Sequence, residues 1–180
     1  MTRSDRFRPL RMTLAGFAGA AALLAGWQQL GAQGLSGHNS DAPVNYAADR
    51  IELQDKQNRV VLSGNVDITQ AALRLRAART TVAYTNAGSL KIQRIDATGG
   101  VTVTRGGESA RGDAAVYDFN RRVITMAGNV RLNRGSDTLN GGRLVMDLNT
   151  GLSSVDGRGG GASGSGGRVS GSFAAPNKAN

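Results

Sequence analysis

Two stretches of the chain that lie 64 residues apart have nearly the same sequence, LSGNVDI from residue 62 and MAGNVRL from residue 126. The similarity continues without a gap to Val82 and Met146. A weaker copy, TGGVTV from residue 98, follows the first at an offset of 35. Self-similarity at such spacings is typical of folds in which one small unit stacks on the next. The sequence therefore predicts a stacked repeat, with the Gly-Asn pair marking a kink or bulge at a strand junction.

Within each unit, apolar and polar residues alternate with a period of two, as in LRLR at residues 73–76. Such alternation is typical of strands with one apolar face, and the intervening NAG, TGG and NRGSD segments have turn compositions. The segment TQAALRLRAART contains good helix formers, but its aligned partner NRGSDTLNGGRL does not. Both are therefore predicted to be strand–turn–strand, and the fold class is all-β, with repeated short antiparallel strands.

The same alternation assigns one set of apolar side chains to the interior of the stack. These residues are Ile51, Leu53, Val60, Leu62, Val66, Ile68, Leu73, Leu75, Val82, Tyr84, Val101, Val103, Ile124, Met126, Val130, Leu132, Leu144, Met146 and Leu148. Slim apolar side chains that face one another along a stack form either a dry, solid core or a continuous apolar groove. The pattern alone leaves both interpretations open.

The chain has an N-terminal segment typical of an export signal, with four arginines before Thr13, an uncharged Ala/Leu-rich run and small residues near Gly34. We expect residues 1–33 to be a cleaved signal peptide; a retained N-terminal anchor is the alternative. Residues 34–42 are predicted to be a flexible lead and residues 43–156 the ordered domain. Residues 157–180 are rich in Gly and Ser with few apolar side chains, which predicts a disordered tail.

The sequence offers no set of residues suited to catalysis. His38, the one histidine, lies in the polar lead without neighbouring ligands, and there is no cysteine. Between residues 33 and 156 the chain carries fifteen bases and twelve acids, so its basicity is not concentrated there. We therefore predict no catalytic residue, metal, cofactor or nucleic-acid partner. Asp49, Asp113 and Asp147 are expected to be structural.

Arg74, Arg76 and Arg79 are expected on the outward face of one hairpin, where they would either meet lipid phosphates and acidic sugars or form a charged face that blunts aggregation. A stack of this kind also has two open ends. Unpaired N–H and C=O groups at such ends recruit another strand, which predicts possible head-to-tail self-association.

Several motifs in their order along the chain resemble one known family. ADRIEL at residues 48–53, the two Gly-Asn-Val stretches and GGRLVMDL at residues 141–148 follow an export signal. This arrangement resembles the LptA or OstA-like family of periplasmic lipopolysaccharide-transport proteins over about residues 43–150. The Gly-rich tail is not part of the family pattern.

The resemblance implies a twisted β-jellyroll, open like a V, with an apolar interior. It implies a periplasmic protein that binds the acyl chains of lipopolysaccharide in a hydrophobic groove and passes the lipid from the inner to the outer membrane. Its partners would be the inner-membrane and outer-membrane components of the export machinery. On this resemblance, the groove is lined by the inward-facing residues named above and also by Leu139, Tyr117 and Phe119. Val116 competes with Tyr117 for the inner face.

Three other interpretations compete with this one. The chain could be the membrane-anchored inner-membrane partner of the same pathway. It could be a structural β-solenoid that polymerises without lipid cargo. A polysaccharide-acting β-helix enzyme would need carboxylates or bases clustered on one exposed strip, which the sequence does not show.

Overall fold

The computed structural model of the chain describes residues 38–158 and 167–174, so the predicted signal peptide lies outside the described residues. Within them the chain forms ten strands and one short 3-10 turn at Asp55–Gln57. The strands are β1 (Val44–Ala47), β2 (Arg50–Gln54), β3 (Arg59–Gln70), β4 (Leu73–Asn86), β5 (Leu90–Arg105), β6 (Glu108–Asp118), β7 (Val123–Arg134), β8 (Asp137–Asp147), β9 (Ser153–Asp156) and β10 (Ser170–Ser172). No helix in this part of the chain is long and apolar enough to cross a membrane.

All ten strands belong to one antiparallel sheet in the order β1-β3-β4-β5-β6-β7-β8-β10, with β2 also paired to β3 and β9 also paired to β8. The sheet does not close on itself. The predicted all-β, antiparallel, open architecture is confirmed. The six central strands are 11 to 16 residues long, however, and are not short.

Each central strand is long because it continues through a bulge and changes direction there. The register between β3 and β4 shifts between Ser63 and Val66, and that between β7 and β8 shifts between Ala127 and Val130. Equivalent shifts separate the two halves of the β4–β5, β5–β6 and β6–β7 pairs. The bulges therefore divide the sheet into two half-sheets that face each other and meet along the line of bulges.

Half-sheet A comprises β2, β9 and the parts of β3 to β8 on one side of the bulges: 59–63, 79–86, 90–98, 114–118, 123–127 and 143–147. Half-sheet B comprises β1, β10 and the parts on the other side: 66–70, 73–77, 101–105, 108–112, 130–134 and 137–141.

The two Gly-Asn pairs form the same local structure in both copies of the repeat. Gly128 has φ +78° and Asn129 has φ +47°, both in the left-handed region that glycine and asparagine tolerate. The Asn129 amide donates a hydrogen bond to Asp113 Oδ2 at 2.8 Å, and Asn65 makes the same bond to Asp49 Oδ2 at 2.9 Å. The predicted bulge is confirmed, and the two aspartates clasp it.

The core lies between the two half-sheets. It forms a single apolar cluster that spans both, and Ile124, Met126 and Leu144 in its centre have no exposed surface. Across most of the sheet the outer faces carry polar and charged residues, as the alternation predicts.

The predictions for the two termini of the domain need correction. The tail was predicted to be disordered from residue 157 to 180, yet Ser170–Ser172 pairs with Thr138–Asn140 as β10. An edge strand needs only backbone hydrogen bonds, so a segment poor in apolar side chains can still join a sheet. In the lead, residues 38–42 are not free, because the Gln70 amide donates to the carbonyls of Ser40 at 2.7 Å and Ala42 at 3.1 Å.

Candidate functional site

The facing inner surfaces of the two half-sheets form the candidate site, and the strand register places the predicted inward-facing residues on them. Fifteen are buried: Leu62, Val66, Ile68, Leu73, Leu75, Val101, Val103, Tyr117, Ile124, Met126, Val130, Leu132, Leu144, Met146 and Leu148. Five are partly buried: Val60, Val82, Tyr84, Phe119 and Leu139. Tyr117, not Val116, occupies the inner face, and its ring stacks on Phe119 at 4.0 Å.

Ile51 and Leu53 lie on the inner face but are 43% and 68% exposed. Both belong to β2, which is at the edge of the sheet and has no strand beyond it. Tyr46 on β1 is 57% exposed for the same reason. The inner apolar surface is therefore uncovered at this first end of the stack.

Sequence reasoning missed several inner residues, among them Ile92 and Ile95. These two are three positions apart, which breaks the period of two. The cause is a register shift between Ala83 and Tyr84 on the neighbouring strand. The small residues Ala97, Ala110 and Ala115 were also missed, although all are buried, because alanine gives a weak alternation signal.

The interior is filled along most of its length. A cavity of about 140 Å³ opens near the first end and is lined by Val44, Tyr46, Val60, Leu62, Ile68, Val82, Tyr84, Leu90 and Ile92. Deeper in, beside Tyr117 and Phe119, only about 10 Å³ is free. Pockets that hold small ligands usually measure about 300–1,000 Å³, so a larger apolar ligand needs the half-sheets to separate.

A polar cluster links the two half-sheets opposite the bulges. Gln70, in half-sheet B, is 3% exposed and accepts a hydrogen bond from the hydroxyl of Tyr117, in half-sheet A, at 3.0 Å. Burial raises the pKa of the Tyr117 phenol, which keeps it protonated and able to donate. The amide of Gln70 holds the lead, as described above, and the ring of His38 lies 3.2 Å from Gln70 Oε1.

The lead is also tied to half-sheet A. The Arg122 guanidinium, in the turn between β6 and β7, donates to Asp41 Oδ1 at 3.0 Å. Residues 38–42 thus bridge both half-sheets across their open side, through Gln70 on one and Arg122 on the other. We call this set of contacts, centred on Gln70 and residues 38–42, the strap.

A buried charge closes another part of the interior. Glu108 is 6% exposed on the inner face of β6 and forms ion pairs with Arg134 and with Arg105, the latter at 3.8 Å. An unpaired carboxylate at this depth would be costly, and the two arginines compensate it. The inner face is therefore polar at the β5–β6 and β7–β8 turns and apolar elsewhere.

The arginine cluster predicted on the outer face is exposed, and it has a partner that sequence reasoning missed. Arg74 hydrogen-bonds Asp67 through Nε at 2.9 Å, and Arg76 contacts the same carboxylate at 3.4 Å. The hydrogen bond from Arg74 is the main cause that lowers the pKa of Asp67. Directly opposite positions on β3 and β4 bring Asp67 and Arg76 together, which only the register reveals.

Within residues 38–158 and 167–174, no three His, Cys, Asp or Glu side chains are placed to hold a metal ion. Asp147 accepts hydrogen bonds from the backbone N–H groups of Asn149 and Thr150, at 2.8 and 3.1 Å, and so caps a turn. Asp49 and Asp113 clasp bulges. The three aspartates that the sequence marked as structural all have structural partners.

The fold and its interior define a class of protein, the open antiparallel β-jellyroll with an apolar lining. Residues 46–152 match the family model described as "LptA/(LptD N-terminal domain) LPS transport protein", and the chain belongs to this family. The resemblance seen in the sequence is thereby confirmed.

Two individual relatives support the comparison. A curated protein of Rhizobium meliloti (strain 1021), the uncharacterized protein R00383, is 28% identical over 115 residues, which is 61% of this chain and 61% of the relative's length. The crystal structure of LptH from Pseudomonas aeruginosa superposes with a TM-score of 0.69 at 18% identity and covers 77% of this chain and all of that one. Its title describes LptH as the LptA-homologous periplasmic component of the lipopolysaccharide transport device.

Proposed function

We propose that the chain is a periplasmic bridge protein that shields the acyl chains of lipopolysaccharide between its two half-sheets and passes the lipid from the inner to the outer membrane. The observation that carries the proposal is the continuous inner apolar face, which runs from β2 to β9 and remains uncovered at the first end. The export signal in the sequence and the family membership agree with it. The protein is not an enzyme on this proposal; it needs no cofactor.

The mechanism follows from how the two half-sheets are held. They are joined covalently only through the bulges, and on the opposite side the strap connects them by a few hydrogen bonds. Releasing the strap lets the half-sheets separate and exposes the inner residues. Each methylene group of an acyl chain that enters replaces lost packing and contributes about 0.8 kcal/mol.

The proposed partners follow from the two ends of the sheet. Edge strands with free backbone groups pair with strands of another molecule. One end would meet the inner-membrane component of the export machinery and the other the outer-membrane component, with further copies of this chain between them. The inner apolar face would then continue from one molecule to the next.

Site-specific photo-crosslinking tests the lipid path. A crosslinking residue at Val130 or Leu75, both at most 2% exposed on the inner face, should capture lipopolysaccharide in cells. The same residue at Arg74, adjacent to Leu75 but on the outer face, is the matched control and should not. Equal capture at Leu75 and Arg74 would contradict the proposal.

One observation favours a second function, a structural stack without lipid cargo. Ile124, Met126 and Leu144 are completely buried without any ligand, so the interior can be a finished core. Mass spectrometry of lipid that co-purifies with the chain separates the two functions, because a structural stack would carry none. If the chain is instead the membrane-anchored partner of the same pathway, N-terminal sequencing will find residues 1–33 retained.

A further inference from the structure

The last rung of the sheet is built from two separate pieces of chain. At the first end, β1 and β2 are nearly contiguous and cover both halves of β3. At the other end, β9 covers β8 only from Arg143 to Met146, in half-sheet A. The part of β8 in half-sheet B is covered by β10, which comes from the Gly-rich tail. Together β9 and β10 therefore match β1 and β2 as a complete terminal rung.

The sequence of β10 and its flanks fits this place. A Cβ atom at Gly171 would lie 2.3 Å from the carbonyl oxygen of Thr138, so only glycine allows the strand to approach β8 here. The backbone N–H of Ala174 donates to Asp137 Oδ1 at 3.0 Å and holds the end of the strand. Val169 and Phe173 alternate with the serines and are 41% and 70% exposed, as expected of an edge that lacks a neighbour.

Strand direction decides what can pair with this edge. Every strand runs antiparallel to its neighbours, so β1 and β2 run in the same direction as β8, and β9 and β10 run in the opposite direction. A second copy placed beyond the last rung in the same orientation would meet β9 with its β2 and β10 with its β1, antiparallel in both half-sheets. Without β10, half-sheet B would end one strand earlier and with the wrong direction.

The register also shows which residues would meet. One row of directly paired residues crosses half-sheet A in the order Arg50, Ser63, Arg79, Thr98, Ala114, Ala127, Arg143 and Asp156. Continued by one strand, this row places Asp156 opposite Arg50 of the second copy. Both side chains are exposed on the outer face and have opposite charges.

The inner rows are complementary as well. Continued in the same way, they place Val155 opposite Ile51 and Gly171 opposite Tyr46 of the second copy. Ile51 and Tyr46 are 43% and 57% exposed in the single chain, and Gly171 leaves room for the tyrosine ring. The pairing would cover the apolar surface that β1 and β2 leave open.

We infer that β9 and the tail strand β10 form the edge on which β2 and β1 of a second copy of this chain pair, with Asp156 opposite Arg50. This inference rests on the proposed bridge function and assigns the Gly-rich tail a role in assembly. The tail then completes the terminal rung and supplies half of the docking edge.

Charge reversal tests the register. Association of the full chain is measured by sedimentation equilibrium, with circular dichroism as the check on folding. Arg50→Asp and Asp156→Arg should each weaken association on the order of tenfold, because an attractive cross-strand pair becomes a repulsive one. The double variant, which swaps the charges, should recover it. Lys91→Glu, an exposed reversal away from both edges, is the matched control and should leave association unchanged.

Two further variants test β10. A chain that ends at Arg158 and the Gly171→Val chain should both lose association by at least as large a factor, whereas Ser172→Ala should not. The inference is overturned if these two variants or the single reversals associate like the parent, if the double reversal does not recover, or if the parent itself stays monomeric.

The same variants separate this inference from the lipid path. Crosslinking to lipopolysaccharide from Val130 is repeated in Arg50→Asp. Capture that persists while association is lost supports the docking edge and leaves the lipid path standing. An associating parent that captures no lipid refutes the lipid path but keeps the docking edge.

Discussion

Replacement of Gly128 by alanine would show what the repeated Gly-Asn pair contributes to stability. Gly128 and Gly100 occupy equivalent bulges with φ +78° and +79°, so alanine incurs the same backbone penalty at both, about 1–2 kcal/mol. Their surroundings differ. A Cβ atom at Gly128 would lie 2.3 Å from Asp113 Oδ2, whereas nothing lies within 4 Å of one at Gly100.

The alanine at position 128 therefore has a second cost. The Asp113 carboxylate must move away and lose its hydrogen bond from Asn129, which contributes about 1–2 kcal/mol at this exposed position. We expect Gly100→Ala to lower the free energy of unfolding by about 1–2 kcal/mol and Gly128→Ala by about 2–4 kcal/mol.

Urea denaturation followed by circular dichroism measures both values. In a chain that already carries Asp113→Ala, the clash is absent, and Gly128→Ala should cost only as much as Gly100→Ala does. Gly64, which meets Asp49 at the same 2.3 Å, should behave like Gly128. Equal losses at Gly100 and Gly128 in the parent background would refute the clasp.

Three further predictions concern the core, the outer face and the strap. Met126→Ala should lower the free energy of unfolding by about 2–5 kcal/mol in urea denaturation, because Met126 is fully buried; a loss below 1 kcal/mol would indicate an interior that collapses easily. Asp67 has a pKa below its ordinary 3.8, so its contribution is present above that pH and is lost as pH falls through it. The difference in melting temperature between the parent and Asp67→Asn should therefore shrink from about pH 6 to about pH 3; a constant difference would exclude the ion pair as its cause. Gln70→Leu removes the partner of Tyr117 and of the lead, so hydrogen exchange at residues 38–42 should accelerate while exchange at β7 stays slow. Unchanged exchange at residues 38–42 would mean that Gln70 does not hold the strap.

Much of the candidate site could be predicted because its signal is local. An inward-facing residue in a strand is recognised from its neighbours two positions away, as Leu73 and Leu75 show. Where the backbone departs from that geometry, the prediction fails. Ile92 and Ile95 are both on the inner side of β5, but the register shift opposite them breaks the alternation.

The contacts of the termini could not be predicted because they depend on partners distant in sequence. The lead is held by Gln70, which is about thirty residues away and reads as an ordinary polar strand end. β10 has almost no apolar content, and its place is determined by the free edge of β8 and by the close approach that Gly171 allows.

The sequence by itself determined the period of the stack, the antiparallel strands, the bulges and the apolar face, because each of these depends on residues a few positions apart. Only the tertiary structure decided that the interior is packed, that the strap bridges the half-sheets and that the tail completes the last rung. These features depend on which distant segments meet, and that follows from the register of the whole sheet. The repeated Gly-Asn-Val belongs to both levels: its spacing is visible in the chain, and its clasp by Asp49 and Asp113 appears only in the fold.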